Sequence, residues 1–189
     1  VGGDVNLVDG SLISSGGRIE LGGISESGTI NLNIDNNNNI LGLAYPESIQ
    51  RANLSLVRTA IDLNSNRGGS LVINANNLNY SESLIQAGIL AGNTSTNSRV
   101  ADIFIDATGE MSMNNNSFIL SSVDAGAIGN NGDININVGY FVATENSFIS
   151  TSTQGEGNPG SVSITASELI SLDSSRIFSV VSDGASGNS

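Results

Sequence analysis

Gly132-Asp133-Ile134-Asn135-Ile136-Asn137 is the clearest instance of a phrase that returns along the chain. The phrase is a small residue, a short polar residue, and then apolar and polar residues in alternation. Such alternation, entered by a glycine turn, predicts a short strand with one buried face. Instances begin at Gly3, Gly28, Gly69, Ala101, Gly132 and Gly160.

The intervals between these leading residues are 25, 41, 32, 31 and 28 residues. A period of this length is typical of solenoids, in which each unit buries its apolar face against its neighbours. Each repeat has room for three strands and three turns, as 133–137, 140–143 and 148–151 indicate. The sequence therefore predicts an all-β fold: a right-handed parallel β-helix of about six three-strand coils, with one insertion in the second coil.

The inward positions of the first strands are expected to form one aliphatic core column. They are Val5/Leu7, Ile30/Leu32, Leu71/Ile73, Ile103/Ile105, Ile134/Ile136 and Val162/Ile164. Most outward positions are Asn or Ser, which can form ladders along the axis. Val72 and Phe104 are expected to point outward on adjacent coils, so they are candidates for partner contact, unless a neighbouring loop covers them.

Residues 1–189 are interpreted as a single β-helix segment of a longer protein, because Val1-Gly2-Gly3 already lies within a repeat phrase. An insertion loop over 35–52 explains the interval of 41 residues between Gly28 and Gly69. Its Tyr45, Glu47 and Arg51 are candidates for contact with a partner, since mixed aromatic and charged residues are common in interfaces. The favoured alternative is that Leu41, Leu43 and Ile49 merely dock the loop on the shaft.

Composition excludes several classes of function. The formal net charge of -12 should repel nucleic acid and anionic lipid. The absence of Cys and His removes thiol nucleophiles, zinc-thiolate sites and the commonest general base. No apolar run approaches the length of a membrane-spanning helix.

Phrases such as Gly132-Asp133-Ile134-Asn135-Ile136 and Gly160-Ser161-Val162-Ser163-Ile164 resemble the repeats of filamentous haemagglutinin-like exoproteins. These proteins belong to two-partner secretion in Gram-negative bacteria. The resemblance implies export through an outer-membrane transporter, a secreted or cell-surface location, and adhesion to glycans or proteins of cell surfaces or matrix. Proline occurs only at positions 46 and 159, so the Asn-Pro motif of the family's secretion domain is not recognisable near the start of the chain. The segment is therefore expected to be repeat shaft.

Calcium and catalysis are the chemical alternatives. Asp102 and Asp133 are the calcium candidates, but equivalent positions hold Thr29, Ser70 and Ser161, which favours turn capping. No cofactor is therefore predicted. The same two carboxylates could lie close enough for glycoside hydrolysis.

The leading hypothesis is a non-enzymatic extracellular structural or adhesion segment. The alternatives are a carbohydrate-active β-helix enzyme, either a polysaccharide lyase or a hydrolase, and a subunit that associates end to end into filaments.

Overall fold

The computed structural model describes residues 3–34, 40–46, 49–66, 69–183 and 185–186. Within these residues the chain forms sixteen β-strands and no helix, and hence no helix that could cross a membrane. The strands are β1 (Val5–Val8), β2 (Ser11–Ile13), β3 (Arg18–Gly22), β4 (Asn31–Ile34), β5 (Ile40–Ala44), β6 (Leu54–Val57), β7 (Ala60–Asp62), β8 (Ser70–Ala75), β9 (Leu78–Ser81), β10 (Leu84–Ile89), β11 (Asp102–Asn114), β12 (Phe118–Val123), β13 (Ile134–Ala143), β14 (Phe148–Thr153), β15 (Val162–Leu172) and β16 (Arg176–Val181).

Fourteen of these strands stack in three columns along the axis of a parallel β-solenoid, which confirms the predicted fold class. Column one contains β3, β8 and the first parts of β11, β13 and β15. Column two contains β1, β6, β9 and the second parts of the same three long strands. Column three contains β2, β7, β10, β12, β14 and β16. Pairing within every column is parallel because like strands of consecutive coils lie side by side.

The solenoid has about four regular turns, so the predicted count of six coils is slightly too high. Four uninterrupted turns run from β8 to β16. The insertion lies between β3 and β6. It therefore divides the earlier strands into β1–β3 before it and β6 and β7 after it. Among the described residues, column one contains five strands, whereas columns two and three contain six each.

The stacking of column one explains the repeated phrase. Ile134 lies between Ile103 and Val162, and both isoleucines are completely buried. Burying one such side chain contributes about 1.5–3 kcal/mol. The glycine that leads the phrase is explained by lack of space. A Cβ at Gly132 would collide with the carbonyl oxygen of Ala101 on the preceding coil. The close approach of two coils therefore requires glycine there.

The first instance of the phrase lies in column two, so its predicted place in column one was wrong. Val5 pairs with Leu54, and Leu7 continues the same strand. The column-one strand of this region is β3, in which Ile19 pairs with Leu71. All three columns share one alternation of apolar and polar residues, so alternation identifies a strand without identifying its column.

The second instance lies outside the solenoid, which is a second correction. Its strand β4 pairs antiparallel with β5, with Leu32 opposite Leu43. Ile30 and Leu32 were predicted in the core, but Leu32 is 52% exposed. The nearby β5 closes a much shorter loop than a parallel partner one coil away, and a shorter loop costs less entropy.

The described residues 23–34, 40–46 and 49–52 form an arm, which begins earlier than the predicted insertion loop over 35–52. At its base, the N-H of Ala52 donates to the carbonyl of Gly23 at 3.0 Å. Its outer part carries β4 and β5. The arm therefore leaves the solenoid at the end of β3 and returns directly before β6.

The apolar interior is covered in the middle coils and open at the last coil. Ile170 and Leu172 continue the inward row of Phe141 and Ala143, which are buried. They are nevertheless 48% and 45% exposed. Among the described residues, no strand pairs with the far edge of β15 to cover them.

Candidate functional site

Asp102 and Asp133 lie at the corner that leads into column one, on consecutive coils. Asp102 Oδ1 accepts the N-H of Asp133 at 3.0 Å. Asp133 Oδ1 in turn accepts the N-H of Ser161 at 2.8 Å and its hydroxyl at 2.9 Å. Each carboxylate thus caps the equivalent residue of the next coil, which is the turn-capping role that the sequence favoured.

The surroundings of Asp102 differ from those of a calcium site. Arg99 Nη2 donates to both carboxylate oxygens, at 2.9 and 3.1 Å, and this hydrogen bond raises the pKa of Arg99. Calcium requires six to eight oxygen ligands, usually including several carboxylates. Across the part of the chain that the structure describes, no three acidic, His or Cys side chains converge in a way that could hold a metal ion.

A second ladder of polar side chains runs along the corner between columns one and two. Asp4 Oδ1 accepts the N-H of Asn53 at 2.9 Å, and Asn53 Oδ1 accepts the N-H of Asn77 at 3.3 Å. Asn77 Oδ1 then accepts the N-H of Glu110 at 2.9 Å. The short polar residues at the coil corners therefore bond along the axis from one coil to the next.

A third ladder, made of buried hydroxyl groups, occupies the corner between columns two and three. The N-H of Thr59 donates to Ser83 Oγ at 3.0 Å, that of Ser83 to Ser117 Oγ at 3.3 Å, and that of Ser117 to Ser147 Oγ at 3.2 Å. All four residues are buried. Sequence reasoning missed this ladder, although each of the three serines stands directly before a pair of large apolar residues.

Two of the three candidate contact residues of the insertion are used to hold the arm. Arg51 donates to the carbonyl and to the carboxylate of Asp106, and its guanidinium lies 5.7 Å from the centre of the Tyr45 ring. The Tyr45 hydroxyl is buried without a hydrogen-bond partner among the described residues. Burial and the Glu20 carboxylate raise the pKa of this phenol, while Arg51 opposes the shift. Glu47 lies outside the described residues.

Glu20, which the sequence did not single out, fastens the arm to the outer face of β3. Its carboxylate accepts the N-H of Leu43 at 3.1 and 3.2 Å, and Arg18 donates to the same carboxylate at 2.9 and 3.1 Å. The Asn74 side-chain amide adds a third donor at 3.3 Å. A carboxylate at an outward strand position, in a chain with only 13% charged residues, was the available signal.

Val72 and Phe104 occupy aligned positions on β8 and β11, as expected. Phe104 is 42% exposed. The next positions in this outward row are Glu20 on one side and Asn135 on the other. The two residues therefore form a small apolar patch within an otherwise polar row.

A larger aromatic row, which the sequence analysis did not predict, lies on the outer face of column three. The ring centres of Phe118 and Phe148 are 4.4 Å apart, and those of Phe148 and Phe178 are 5.6 Å apart. Phe178 is 38% exposed. Phenylalanine at intervals of 30 residues was the available signal, although Phe178 pairs with Ser150 and only Phe118 and Phe148 share a register position.

No protein-family model matches the chain, and no curated protein or solved structure is significantly similar to it. Its function therefore has to be argued from its own residues.

Proposed function

We propose that the chain is a non-enzymatic, extracellular structural or adhesion segment: a stiff shaft that presents contact surfaces on its outer faces. The single observation that carries this proposal is the use of polar side chains at the coil corners. Carboxylates, amides and hydroxyls there bond from one coil to the next, as Asp133 does to Ser161. Together with the main-chain ladders, such bonds resist bending and local opening.

The carboxylates that a glycosidase would need form the same kind of hydrogen bond from one coil to the next. A general acid or base must reach its substrate and exchange a proton with it. Asp102 instead holds the N-H of Asp133 and the Arg99 guanidinium, so both of its carboxylate oxygens are engaged within the chain. This use of the best-placed acidic pair supports a structural role over glycoside cleavage.

The resemblance to filamentous haemagglutinin-like repeats supports the remaining parts of the proposal. These are export through an outer-membrane transporter, a place at the surface of a Gram-negative bacterium or in its secretions, and adhesion to surface or matrix glycans or proteins. The Val72 and Phe104 patch is the contact surface we propose for adhesion, because it joins an exposed ring to a polar row that can hydrogen-bond.

Beads coated with the chain test the proposal against panels of glycans and matrix proteins. Wild-type beads should bind at least one class of ligand, and Phe104→Ser should weaken that binding. Phe178→Ser removes a similarly exposed ring from the outer face of column three, so it is the matched control and should bind as wild type. Failure of wild-type beads to bind any ligand would contradict adhesion through this segment.

An assay on uronic-acid and neutral polysaccharides tests the enzymatic alternative. We expect no turnover. Cleavage of any polymer that is abolished by Asp102→Ala or Asp133→Ala would overturn the non-enzymatic assignment.

A further inference from the structure

Glu110 is the residue at which the polar ladder between columns one and two stops. Asn53 Oδ1 accepts the N-H of Asn77, and Asn77 Oδ1 in turn accepts the N-H of Glu110 at 2.9 Å. The Glu110 carboxylate itself accepts no hydrogen bond and forms no ion pair within the part of the chain that the structure describes. By contrast, the carboxylates of Asp102 and Asp133 are both engaged by the next coil. Glu110 is exposed, so it presents a free carboxylate on the outer surface of the solenoid.

An exposed aromatic ring lies beside this carboxylate. Tyr140 is aligned with Glu110 on the next coil and is 44% exposed. Aligned residues on neighbouring strands are about 5 Å apart, so a group that contacts the carboxylate also reaches the ring. Both residues belong to inner coils, because β11 pairs with β9 on one side and β13 pairs with β15 on the other. Their exposure is therefore a property of the outer face of column two and of neither end of the chain.

A cleft of about 390 Å³ adjoins Glu110 on the side away from Tyr140. Asn79 Nδ2 donates to Ser55 Oγ at 3.1 Å, and the side-chain oxygen of Asn79 has no partner among the described residues. The cleft therefore combines an unused acceptor with the negative charge of Glu110. The residues that line it are Asn77, Leu78, Asn79, Glu110 and Ser112.

The described chain supplies no cation to neutralise Glu110. The four ion pairs among the described residues already use Arg18, Arg51, Arg58 and Arg99. Arg176 lies on β16, in column three. With a formal net charge of -12, the chain attracts cationic partners. A cation that pairs with Glu110 therefore comes from another molecule.

We infer that Glu110 and Tyr140 form a binding site for an arginine side chain, which is carried by a basic segment of a partner protein. A guanidinium is planar, has several N-H donors in a fixed geometry and stacks on aromatic rings. It can therefore donate to the Glu110 carboxylate and lie against the Tyr140 ring. Its remaining donors can bond the unused oxygen of Asn79.

Other ligands fit the site less well. A lysine ammonium is a compact charge that pairs with a carboxylate but has no plane to stack on a ring. A sugar hydroxyl both donates and accepts. The side-chain amides of Asn77 and Asn79 already donate within the chain, to Asn53 and Ser55. The site therefore favours arginine over lysine and over a neutral sugar.

Nuclear magnetic resonance titration of the purified 189-residue chain with a capped glycine-arginine-glycine tripeptide provides the first test. Concentrations from about 0.1 to about 50 mM are suitable, because one exposed ion pair and one cation–π contact give millimolar affinity. The amide signals of Glu110, Ser112 and Tyr140 should shift together and saturate. The same tripeptide with lysine should bind at least about twofold more weakly.

Citrulline in place of arginine is the control for charge, because its urea group is planar but uncharged. This tripeptide should bind at least about fivefold more weakly than the arginine peptide. Raising the NaCl concentration from about 0.02 to about 0.3 M should also weaken binding of the arginine peptide. Equal affinity for the citrulline and arginine peptides would overturn the inference. Shifts spread evenly over the acidic residues of the chain would overturn it as well.

Variants of the two residues separate the ion pair from the ring contact. Glu110→Gln should weaken binding of the arginine peptide at least about threefold. Tyr140→Leu should weaken it by at least about the same factor, whereas Tyr140→Phe keeps the ring and should bind as wild type. Leucine suits this row, since Leu169 occupies the aligned position on β15. Equal binding by Tyr140→Leu and Tyr140→Phe would remove the ring from the site.

Glu156→Gln is the matched control for Glu110→Gln. Glu156 is also exposed, and its carboxylate has no partner among the described residues. It lies at another corner, between β14 and β15. This variant removes the same charge and should bind the arginine peptide as wild type. Equal weakening by the two glutamine variants would show general attraction by charge and would contradict a site at Glu110.

This inference goes beyond the proposed function, because it concerns the outer face of column two and not the Val72 and Phe104 patch of column one. Peptide binding without bead binding would remove only the proposed adhesion. Bead binding without saturable binding of the arginine peptide would remove only the arginine site.

Discussion

Arg51 donates hydrogen bonds to both the main-chain carbonyl and the carboxylate of Asp106, each at 3.0 Å, across 55 positions of sequence. The arm leaves the solenoid after β3, whereas Asp106 lies on β11, two strands further along column one. The contact therefore fastens the arm across three neighbouring coils. Only 18% of the Arg51 side chain is exposed, so this pair is partly protected from solvent screening.

Loss of this contact should loosen the arm while leaving the solenoid folded. Arg51→Met keeps much of the side-chain length but removes hydrogen bonds to a charged group, which are worth about 1.5–3 kcal/mol where they are buried. We expect faster hydrogen exchange at the Leu43 N-H, which lies within the arm and bonds to Glu20.

Arg176→Met is the matched control for charge, because Arg176 forms no ion pair among the described residues. Its Leu43 exchange rate should equal that of wild type. Unchanged Leu43 exchange in Arg51→Met would show that the Arg51–Asp106 contact does not hold the arm.

Tyr80 and Tyr45, the two tyrosines whose hydroxyl groups are buried, should respond differently to loss of the hydroxyl group. Tyr80 is completely buried, and its hydroxyl donates to the carbonyl of Phe118 at 2.6 Å. Tyr80→Phe should lower the free energy of unfolding by about 1–2 kcal/mol. The buried Tyr45 hydroxyl has no described partner, so Tyr45→Phe should be neutral or stabilising. Chemical denaturation of the two variants measures both effects, and equal losses would contradict the different environments of the two hydroxyls.

Alkaline pH should destabilise the protein through Tyr80. Burial raises the pKa of this phenol well above its ordinary value of 10.0. Because the folded-state pKa is the higher one, the stabilising contribution is complete below pH 10 and is lost as the pH rises towards the folded-state pKa. Unfolding free energies measured on both sides of this pH should fall less steeply in Tyr80→Phe than in wild type. Parallel curves would indicate that Tyr80 ionises as readily in the folded chain as in the unfolded one.

Asp133 should act through hydrogen bonding rather than through a bound cation. Asp133→Ala removes the acceptor for both donors of Ser161 and should cost about 0.5–2 kcal/mol, as loss of a capping residue does. Asp133→Asn keeps a carbonyl oxygen and should lose less. A chelator of divalent cations should leave the melting temperature of wild type unchanged. A lower melting temperature with chelator, restored by added calcium, would instead assign this corner a metal.

The glycine of the repeated phrase should be intolerant to a methyl group for reasons of space. Gly132→Ala places a Cβ against the carbonyl oxygen of Ala101, and forced overpacking costs about 1–3 kcal/mol. Gly3→Ala is the control, because nothing lies within 4 Å of the added Cβ. In thermal unfolding, Gly132→Ala should have a clearly lower melting temperature than Gly3→Ala. Similar melting temperatures would mean that neighbouring coils can move apart without cost.

The outer-face surfaces could be predicted only in part. Val72 and Phe104 were expected to meet because they share one position in consecutive repeats, and they are aligned. Tyr45 and Arg51 were proposed for partners on composition alone, yet they bind within the chain. Composition describes what a side chain can contact, but the path of the arm decides which contacts it makes.

A stack of short parallel strands follows from the residue pattern of this chain. Alternation and repeat length are local properties, and they require only that each apolar face find a neighbour. The column that each strand joins, and the pairing of β4 with β5 outside the stack, became known only from the folded chain. Several strands with the same apolar–polar alternation compete as pairing partners at different distances along the chain. The residues of one strand do not determine which of these partners it pairs with.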